Sequence, residues 1–284
     1  MGLFDGCLIA CDVDDTLIVN NYLPERNIEK INYFVSEGGI FSLATGRTAG
    51  AVSGVTEKLN SIGPSVVANG SMIYDFRQDR ILYNKCISKE DCSIVKTVIN
   101  ACPDVGIEAH SGKKVLVLNC NQETIDHEKY ENLDASPIDY ESALSYNWDK
   151  VIYMHLSTDG IIKVKNTVCK IRHSSQFVDT SAFIDGRRRY YYEQVPKGVS
   201  KASTLKLLCD MLNIKKSCCF AIGDYYNDLE MIKNADIGAA LKNSPDEVKN
   251  VADMVVCDAK NGAVADFIDY LTEKRKETKN GFNY

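Results

Sequence analysis

The chain repeats one pattern, in which a short, wholly apolar run is followed at once by a cluster of carboxylate, hydroxyl or glycine residues. The run at 7–11 (CLIAC) leads into DVDDT at 12–16, and the run at 218–222 leads into GDYYND at 223–228. Apolar runs of this length are typical of strands buried on both faces of a parallel sheet. Because parallel strands place their carboxyl ends at one edge of the sheet, we expect these clusters to meet in one crevice.

Helical patterns separate the apolar runs. Ile28, Ile31 and Phe34 recur at helical spacing, and the glycines at 38–39 end that helix. Further predicted helices lie near 48–59, 200–212 and 264–271, and one more begins at 244–247 with Ser244 as its predicted cap. Further predicted strands lie at 40–44, 65–68, 237–240 and 254–256. This alternation predicts an α/β fold with a doubly wound, mostly parallel, Rossmann-like sheet and right-handed crossovers.

A middle segment departs from this rhythm and predicts a second α/β domain. Ser88 and Asp91 are interpreted as the cap of a helix, and Asp185-Gly186 is a hairpin-turn signature. The other predicted elements are strands at 105–109, 115–119, 151–156, 176–184 and 189–194 and a helix at 159–172, while 120–150 is left unassigned. We therefore predict a core built from 1–84 and 195–284, with 85–194 inserted as a separate domain.

Composition narrows the class of protein. The 284 residues are 45% apolar and 25% charged, as in ordinary globular proteins, and the net charge of −6 argues against a nucleic-acid binder. The N-terminus lacks a signal-peptide pattern, and no apolar run reaches the roughly 20 residues of a membrane span, so we expect no membrane association and a cytoplasmic location. Eleven cysteines without a Cys-x-x-Cys pair favour reduced thiols over a zinc site.

The acidic clusters predict a metal-dependent site. Asp12, Asp14 and Asp15 lie within four residues, and Asp224 and Asp228 follow a second strand. Carboxylates crowded in this way repel one another unless a cation compensates, and Mg²⁺ is the natural partner of oxygen ligands and bound phosphate. An acidic turn that caps a helix is a common alternative, so 12–16 alone favours a functional site only modestly. The recurrence of such clusters at several strand ends makes coincidence the poorer explanation.

Two further motifs point to an anion. The Thr45-Gly46-Arg47 sequence offers a hydroxyl and a backbone N–H at a strand end, although a plain strand-to-helix turn would look the same. Lys201 begins a helix, which is the end where a cation is electrostatically disfavoured unless an anion lies beside it. Lys197 is interpreted as a surface residue, because it precedes the helix.

Taken together, these motifs resemble the haloacid dehalogenase superfamily of phosphohydrolases. The ordered set is Asp12-x-Asp14-x-Thr16, Thr45-Gly46-Arg47, Lys201 and the GDYYND segment at 223–228. The inserted domain, together with the 68–70 (ANG), 242–244 (KNS) and 261–263 (NGA) motifs, is similar to the Cof-type subgroup, whose insertion is a class IIB cap.

The resemblance implies a role for each matching residue. Asp12 would be the nucleophile and a metal ligand, and Asp14 the general acid and base that also offers its backbone carbonyl to the metal. Asp224 would be the third protein ligand to the metal. Asp228 would belong to the metal site by supporting Asp224. The phosphate-binding groups would be the Val13 amide, Thr45, Gly46, Lys201 and Asn227.

The predicted function is a Mg²⁺-dependent phosphatase that hydrolyses small phosphorylated metabolites, such as sugar phosphates, through an aspartyl-phosphate intermediate. A phosphosugar mutase of the phosphomannomutase kind shares these residues and stays open. A phospho-accepting signalling module also combines an acidic cluster with Thr and Lys, but the second acidic cluster and the insertion argue against it. Arg187–Arg189 and Tyr190–Tyr192 could meet a leaving group, although packing on a strand is the plainer interpretation, and no histidine is assigned a role.

Overall fold

The computed structural model describes residues 2–59, 61–184 and 187–281. Fourteen strands form among them: β1 (Leu8–Cys11), β2 (Ile40–Leu43), β3 (Ser65–Val67), β4 (Met72–Asp75), β5 (Arg80–Asn84), β6 (Gly106–Ser111), β7 (Lys114–Asn119), β8 (Ala135–Pro137), β9 (Lys150–His155), β10 (Gln176–Ile184), β11 (Arg187–Val195), β12 (Cys219–Gly223), β13 (Ile237–Leu241) and β14 (Met254–Val256). The α-helices of the same residues are α1 (Glu25–Ser36), α2 (Ser53–Thr56), α3 (Ser93–Ala101), α4 (Gln122–Glu131), α5 (Tyr140–Ala143), α6 (Thr158–Val168), α7 (Lys201–Met211), α8 (Leu229–Asn234), α9 (Asp246–Lys249) and α10 (Ala263–Gly281).

The chain divides into two compact units. The core unit comprises residues 1–46, 54–82 and 200–284, and the inserted unit comprises residues 47–53 and 83–199. The short segment 47–53 therefore groups with the insertion, although it directly follows the Thr45-Gly46 motif.

The core unit is built on a five-stranded sheet with the order β14-β13-β12-β1-β2, in which every neighbouring pair is parallel. Cys11 lies in register with Ile222 on one side and with Leu43 on the other. The residues that follow these three positions therefore emerge at the same edge of the sheet. This parallel sheet with its helical crossovers confirms the predicted doubly wound α/β fold.

Burial explains why these segments form strands and helices. All four residues of β1 are buried, as expected for a continuous apolar run with helices on both sides. Helix α1 ends where Gly38 adopts a φ of +90°, a left-handed conformation that suits glycine. Its Phe34 ring packs against Phe4 with the centroids 4.6 Å apart. Helices α1 and α10 contact each other, as do α7 and α8.

Several local predictions were wrong. The helix predicted at 48–59 is reduced to the single turn of α2, because Gly50 and Gly54 weaken helix formation there. Strand β4, which is antiparallel to β3, and strand β5 complete a three-stranded sheet that was not predicted. Ser244 accepts a hydrogen bond from the backbone of Leu241 at 3.1 Å, so it closes the end of β13 and does not cap α9.

The inserted unit contains a six-stranded sheet with the order β10-β11-β9-β6-β7-β8. Helices α3 and α6 pack together over one buried apolar cluster that includes Val98, Tyr153 and Trp148. The unassigned segment 120–150 forms α4, β8 and α5. Strands β10 and β11 pair as a hairpin, and the predicted Asp185-Gly186 turn lies outside the described residues.

The predicted cap of the first helix in the inserted unit was wrong. Helix α3 begins at Ser93 without a side-chain cap, and the Ser88 hydroxyl instead accepts from the Asp91 backbone amide in the preceding turn.

A buried network of charges lies in the inserted unit. The Glu108 carboxylate contacts His127 Nδ1 at 3.0 Å and His110 Nε2 at 3.2 Å. His127 Nε2 lies 3.5 Å from Glu131, whose other oxygen lies 3.8 Å from Arg47 Nε. Opposite charges thus compensate one another where water is excluded, which is the condition for burying them.

The three arginines at 187–189 and the following tyrosines do not share one environment. Arg189 is buried and pairs with Glu123 and with Asp126 of α4, whereas Arg187 and Arg188 are exposed. Tyr191 is buried on the sheet. Packing therefore accounts for Arg189 and Tyr191.

Within 2–59, 61–184 and 187–281, none of the helices combines the length and the apolar character that crossing a bilayer requires.

Candidate active site

Asp12 stands at the centre of the polar edge of the core sheet. Its backbone N–H donates to the Ile222 carbonyl at 3.0 Å, which continues the β1–β12 ladder one residue beyond the strand. The Val13 carbonyl then accepts from the amides of Leu17 and Ile18, both at 3.0 Å, and folds the chain back. Asp12 as a whole residue is only 6% exposed. A carboxylate is therefore held in a partly dehydrated position at the strand end.

Lys201 is the cation that contacts Asp12. Its Nζ donates to Asp12 Oδ1 at 2.6 Å and to Asp228 Oδ1 at 2.7 Å, and the residue is 2% exposed. Ser200 caps α7 by accepting from the Ser203 amide, so Lys201 stands at the first position of a well-formed helix. Lys197 is exposed and belongs to the inserted unit.

Asp228 organises the loop that follows β12. Its Oδ2 accepts from the backbone amides of Asp224 and Tyr225, both at 3.2 Å, while its Oδ1 accepts from Lys201. Gly223 is required here for space, because a Cβ at that position would lie 2.5 Å from Asp228 Cγ. Asp228 thus uses both oxygens inside the protein and fixes the position of Asp224.

Thr16 is a site residue whose partner the sequence did not identify. Its hydroxyl donates to Asp224 Oδ1 at 3.2 Å, which links the loop after β1 to the loop after β12. In the loop after β1, Asp15 has a φ of +55°, the left-handed conformation, which aspartate tolerates better than most residues.

Three carboxylates converge closely enough to share a cation. Oxygen atoms of Asp12, Asp224 and Asp228 lie within 4.8 Å of one another, and Asp14 offers no side-chain atom to this group among the described residues. Burial and the nearby Asp228 raise the pKa of Asp12 to about 7, although Lys201 opposes this. Burial, Asp12 and Asp228 likewise raise the pKa of Asp224 well above its ordinary value. Hard oxygen donors with excess negative charge fit a divalent cation such as those used by phosphoryl-transfer enzymes.

Thr45 and Gly46 belong to a loop that Asn69 holds in place. The Asn69 amide donates to the Thr45 carbonyl at 3.0 Å, and Asn227 Nδ2 donates to Asn69 Oδ1 at 3.3 Å. A Cβ on Gly46 would lie 3.1 Å from the side-chain nitrogen Nδ2 of Asn69, so the glycine allows this close approach. The ANG motif at 68–70 was noticed in the sequence, but nothing in its spacing indicated that Asn69 joins two predicted phosphate-binding segments.

The core unit therefore brings Asp12, Lys201, Asp224 and Asp228 into one cluster. Asn227 joins Thr45 and Gly46 through Asn69. Arg47, the last residue of the Thr45-Gly46-Arg47 motif, instead contacts groups of the inserted unit: its guanidinium lies 5.6 Å from the Tyr130 ring centroid and donates to the Ala51 carbonyl at 3.3 Å.

Comparison with known protein families decides the classification. The sequence profile of the haloacid dehalogenase-like hydrolases matches residues 9–268. The chain belongs to this family. One relative is the 5-amino-6-(5-phospho-D-ribitylamino)uracil phosphatase YwtE of Bacillus subtilis, which is 24% identical over 93% of this chain and 97% of its own length. The predicted superfamily and the predicted phosphatase class of enzyme are thereby confirmed.

Solved haloacid dehalogenase structures share the fold. A haloacid dehalogenase-like hydrolase from Bacteroides thetaiotaomicron superposes with a TM-score of 0.83 at 22% identity, and 93% of this chain covers 99% of that one. The subclass IIB sugar phosphatase BT4131 superposes with a TM-score of 0.78 at 17% identity, covering 93% of this chain and 98% of its own. At these identities the likeness establishes the architecture.

Proposed function

We propose that this chain is a Mg²⁺-dependent phosphatase that releases inorganic phosphate from small phosphate monoesters, with Asp12 as its nucleophile. The observation that carries the proposal is the position of Lys201, whose ammonium bridges Asp12 and Asp228 at 2.6 and 2.7 Å beside Asp224. A buried cation among three carboxylates, at the end of parallel strands, is suited to holding a phosphoryl group against a carboxylate oxygen.

The proposed reaction has two steps at Asp12. In the first, a carboxylate oxygen of Asp12 attacks phosphorus, the ester P–O bond breaks, and the departing alkoxide takes a proton from Asp14. In the second, Asp14 takes a proton from water, the water oxygen attacks phosphorus, and the bond to Asp12 breaks with return of its carboxylate. Splitting the hydrolysis in this way replaces one difficult displacement with two easier ones.

The other predicted groups bind and position the phosphoryl oxygens. Thr45 would donate its hydroxyl, Gly46 and Val13 their backbone N–H groups, and Asn227 its side-chain amide, while Lys201 supplies charge. Asp12, Asp224 and the Asp14 carbonyl would hold the Mg²⁺, with Asp228 supporting Asp224 from behind. When bound, the ion would neutralise oxygen charge at phosphorus.

The substrate class is proposed from the relatives. YwtE is named for a phosphorylated ribityl compound, and BT4131 is described as a sugar phosphatase. We therefore propose a small phosphorylated metabolite with a polyol or sugar leaving group. Membership in a hydrolase family also favours an enzyme over a phospho-accepting signalling module.

A substrate panel tests this proposal. Purified protein is incubated with sugar phosphates, polyol phosphates, nucleotides and phosphorylated cofactors in Mg²⁺, and both inorganic phosphate and remaining phosphorylated isomers are measured. We expect phosphate release that Asp12→Asn abolishes. Conversion of a hexose phosphate to its isomer without phosphate release would instead establish the mutase alternative, and turnover of no compound by folded protein would refute the proposal.

A further inference from the structure

A pair of buried cysteines lies apart from the carboxylate cluster in the core unit. Cys209 stands near the end of α7 and Cys219 is the first residue of β12, and their sulfur atoms are 3.3 Å apart. Sulfurs this close can form a disulfide with a small side-chain adjustment, since the two residues already face each other.

The pair is reachable through a cavity. A cavity of about 590 Å³ opens between α7 and α8, and both cysteines line it. The two residues keep 8% and 9% of their surface exposed, so a small reagent can approach the sulfurs through this opening. Lys206 and Lys216 line the cavity together with Asp210 and Glu230, so its charges balance and do not select an anion or a cation.

We propose that Cys209 and Cys219 form a dithiol site that small disulfides oxidise to an intramolecular disulfide. The sulfur of Cys209 attacks one sulfur of the reagent, forms a mixed disulfide and releases one thiolate. The sulfur of Cys219 then attacks Cys209, forms the Cys209–Cys219 bond and releases the second thiolate. The two protein thiols are oxidised, the reagent is reduced to two thiols, and the two protons end on those products.

The local chemistry supports this order of attack. The contact between the two sulfurs lowers the pKa of Cys209, while the same contact and burial raise the pKa of Cys219. The thiolate is the attacking form, so Cys209 is the better first nucleophile. The crosslink would join α7, which carries Lys201, to β12, which leads to Asp224.

The test uses neutral 2-hydroxyethyl disulfide on the 284-residue chain in which the exposed Cys120 and Cys169 are changed to serine. After reaction under native conditions, remaining thiols are alkylated and the peptides are mapped by mass spectrometry. We expect peptides linked through Cys209 and Cys219, a loss of two alkylated thiols, and no reagent retained on either residue. Oxidised glutathione should give the same link, because the cavity is not selective for charge.

Two variants assign the steps. In Cys219→Ala, Cys209 should keep one reagent adduct, because no second thiol displaces it. Cys102→Ala removes another buried cysteine, in the inserted unit, and should leave the link unchanged. The proposal is overturned if the pair stays reduced while circular dichroism shows folded protein, or if the parent protein retains the adduct on Cys209 as the Cys219→Ala variant does.

Discussion

Asn227 Nδ2 donates to Asn69 Oδ1 over 3.3 Å, and this bond joins the loop after β12 to the loop after β3. The backbone of Asn69 also holds Thr45 through a 3.0 Å hydrogen bond. Residues 68 and 69 both adopt left-handed φ values, of +51° and +53°, so this loop stores backbone strain at the candidate site. We infer that Asn69 positions two phosphate-binding segments relative to each other.

Asn69→Ala should therefore lower kcat/KM about five- to tenfold, the effect of one lost hydrogen bond of roughly 1 kcal/mol. Affinity for vanadate or inorganic phosphate should fall in parallel. Asn69→Gly should show the same activity loss with less destabilisation, because glycine accepts a positive φ. Asn213→Ala is the matched control, since Asn213 also has a left-handed φ of +55° but is exposed. Equal activity losses in Asn69→Ala and Asn213→Ala would contradict a positioning role.

Lys201→Ala should lower kcat/KM by about 10²–10³-fold, as expected when a charged donor to the transition state is removed. It should also destabilise the protein, because Asp12 and Asp228 lose their buried counter-charge. Steady-state kinetics and thermal unfolding measure the two effects. Lys197→Ala is the control and should change neither by much. A larger loss of kcat/KM in Lys197→Ala than in Lys201→Ala would show that Lys197 is the lysine that binds phosphate.

Asp12 and Asp14 should have separable roles. Asp12→Asn should abolish turnover, because an amide is a poor nucleophile. Asp14→Asn should slow reaction with alkyl phosphates by about 10²–10⁴-fold, the usual worth of general acid–base catalysis. Aryl phosphates should lose less in the first step, because their leaving group needs no proton. Pre-steady-state kinetics with both substrates make the comparison, and equal losses would remove Asp14 from the role of general acid.

Removing divalent metal should abolish phosphatase activity, and Mg²⁺ should restore it. The reason is the convergence of Asp12, Asp224 and Asp228 within 4.8 Å around a single bridging lysine. Ca²⁺ should restore activity poorly, because it prefers more ligands and looser geometry. Isothermal titration calorimetry provides an independent readout. The Asp224→Asn variant should bind Mg²⁺ more weakly than the parent protein does. Full activity in excess chelator would refute metal dependence.

The buried charges of the inserted unit predict how stability depends on pH. Burial alone lowers the pKa of His127, but Glu108 and Glu131 overcome it and raise the pKa to about 10. Burial by itself raises the pKa of Glu108, but His127 and His110 outweigh burial and lower the pKa to about 2. His127 therefore contributes fully to the free energy of unfolding below its unfolded pKa of about 6.5, and this contribution is lost as pH rises toward 10. The glutamate's contribution is complete above its unfolded value and is lost as pH falls toward 2.

His127→Gln should therefore destabilise the protein by ~3 kcal/mol near neutral pH and flatten the alkaline loss of stability. Urea unfolding across the pH range measures both effects. The control is His155→Gln, since His155 pairs with the exposed Asp104 at 3.2 Å and should contribute at most about 1 kcal/mol. If His127→Gln loses stability at alkaline pH as steeply as the parent protein does, His127 is not the protonated partner of Glu108 and Glu131.

The strand ends of the core sheet were predictable because their signals are local. Asp12 directly follows the apolar run 7–11, and Asp224 follows the run 218–222, so sequence alone placed both at the carboxyl ends of buried parallel strands. The helix predicted at 48–59 failed for the opposite reason. Apolar spacing was present there, but two glycines left too little helix propensity to sustain more than one turn.

The sequence by itself determined the α/β alternation, the acidic clusters and the family, since each depends on residues close together in the chain. Only the tertiary structure decided which groups meet. Lys201 contacts Asp12 across 189 residues of sequence, and Asn69 meets Asn227 across 158. The histidines 110 and 127 looked unremarkable until α4 packed on β6 and enclosed Glu108 between them. Spacing along a chain fixes which face of a strand or helix a residue occupies, but long-range packing alone fixes its partner and its exclusion from water.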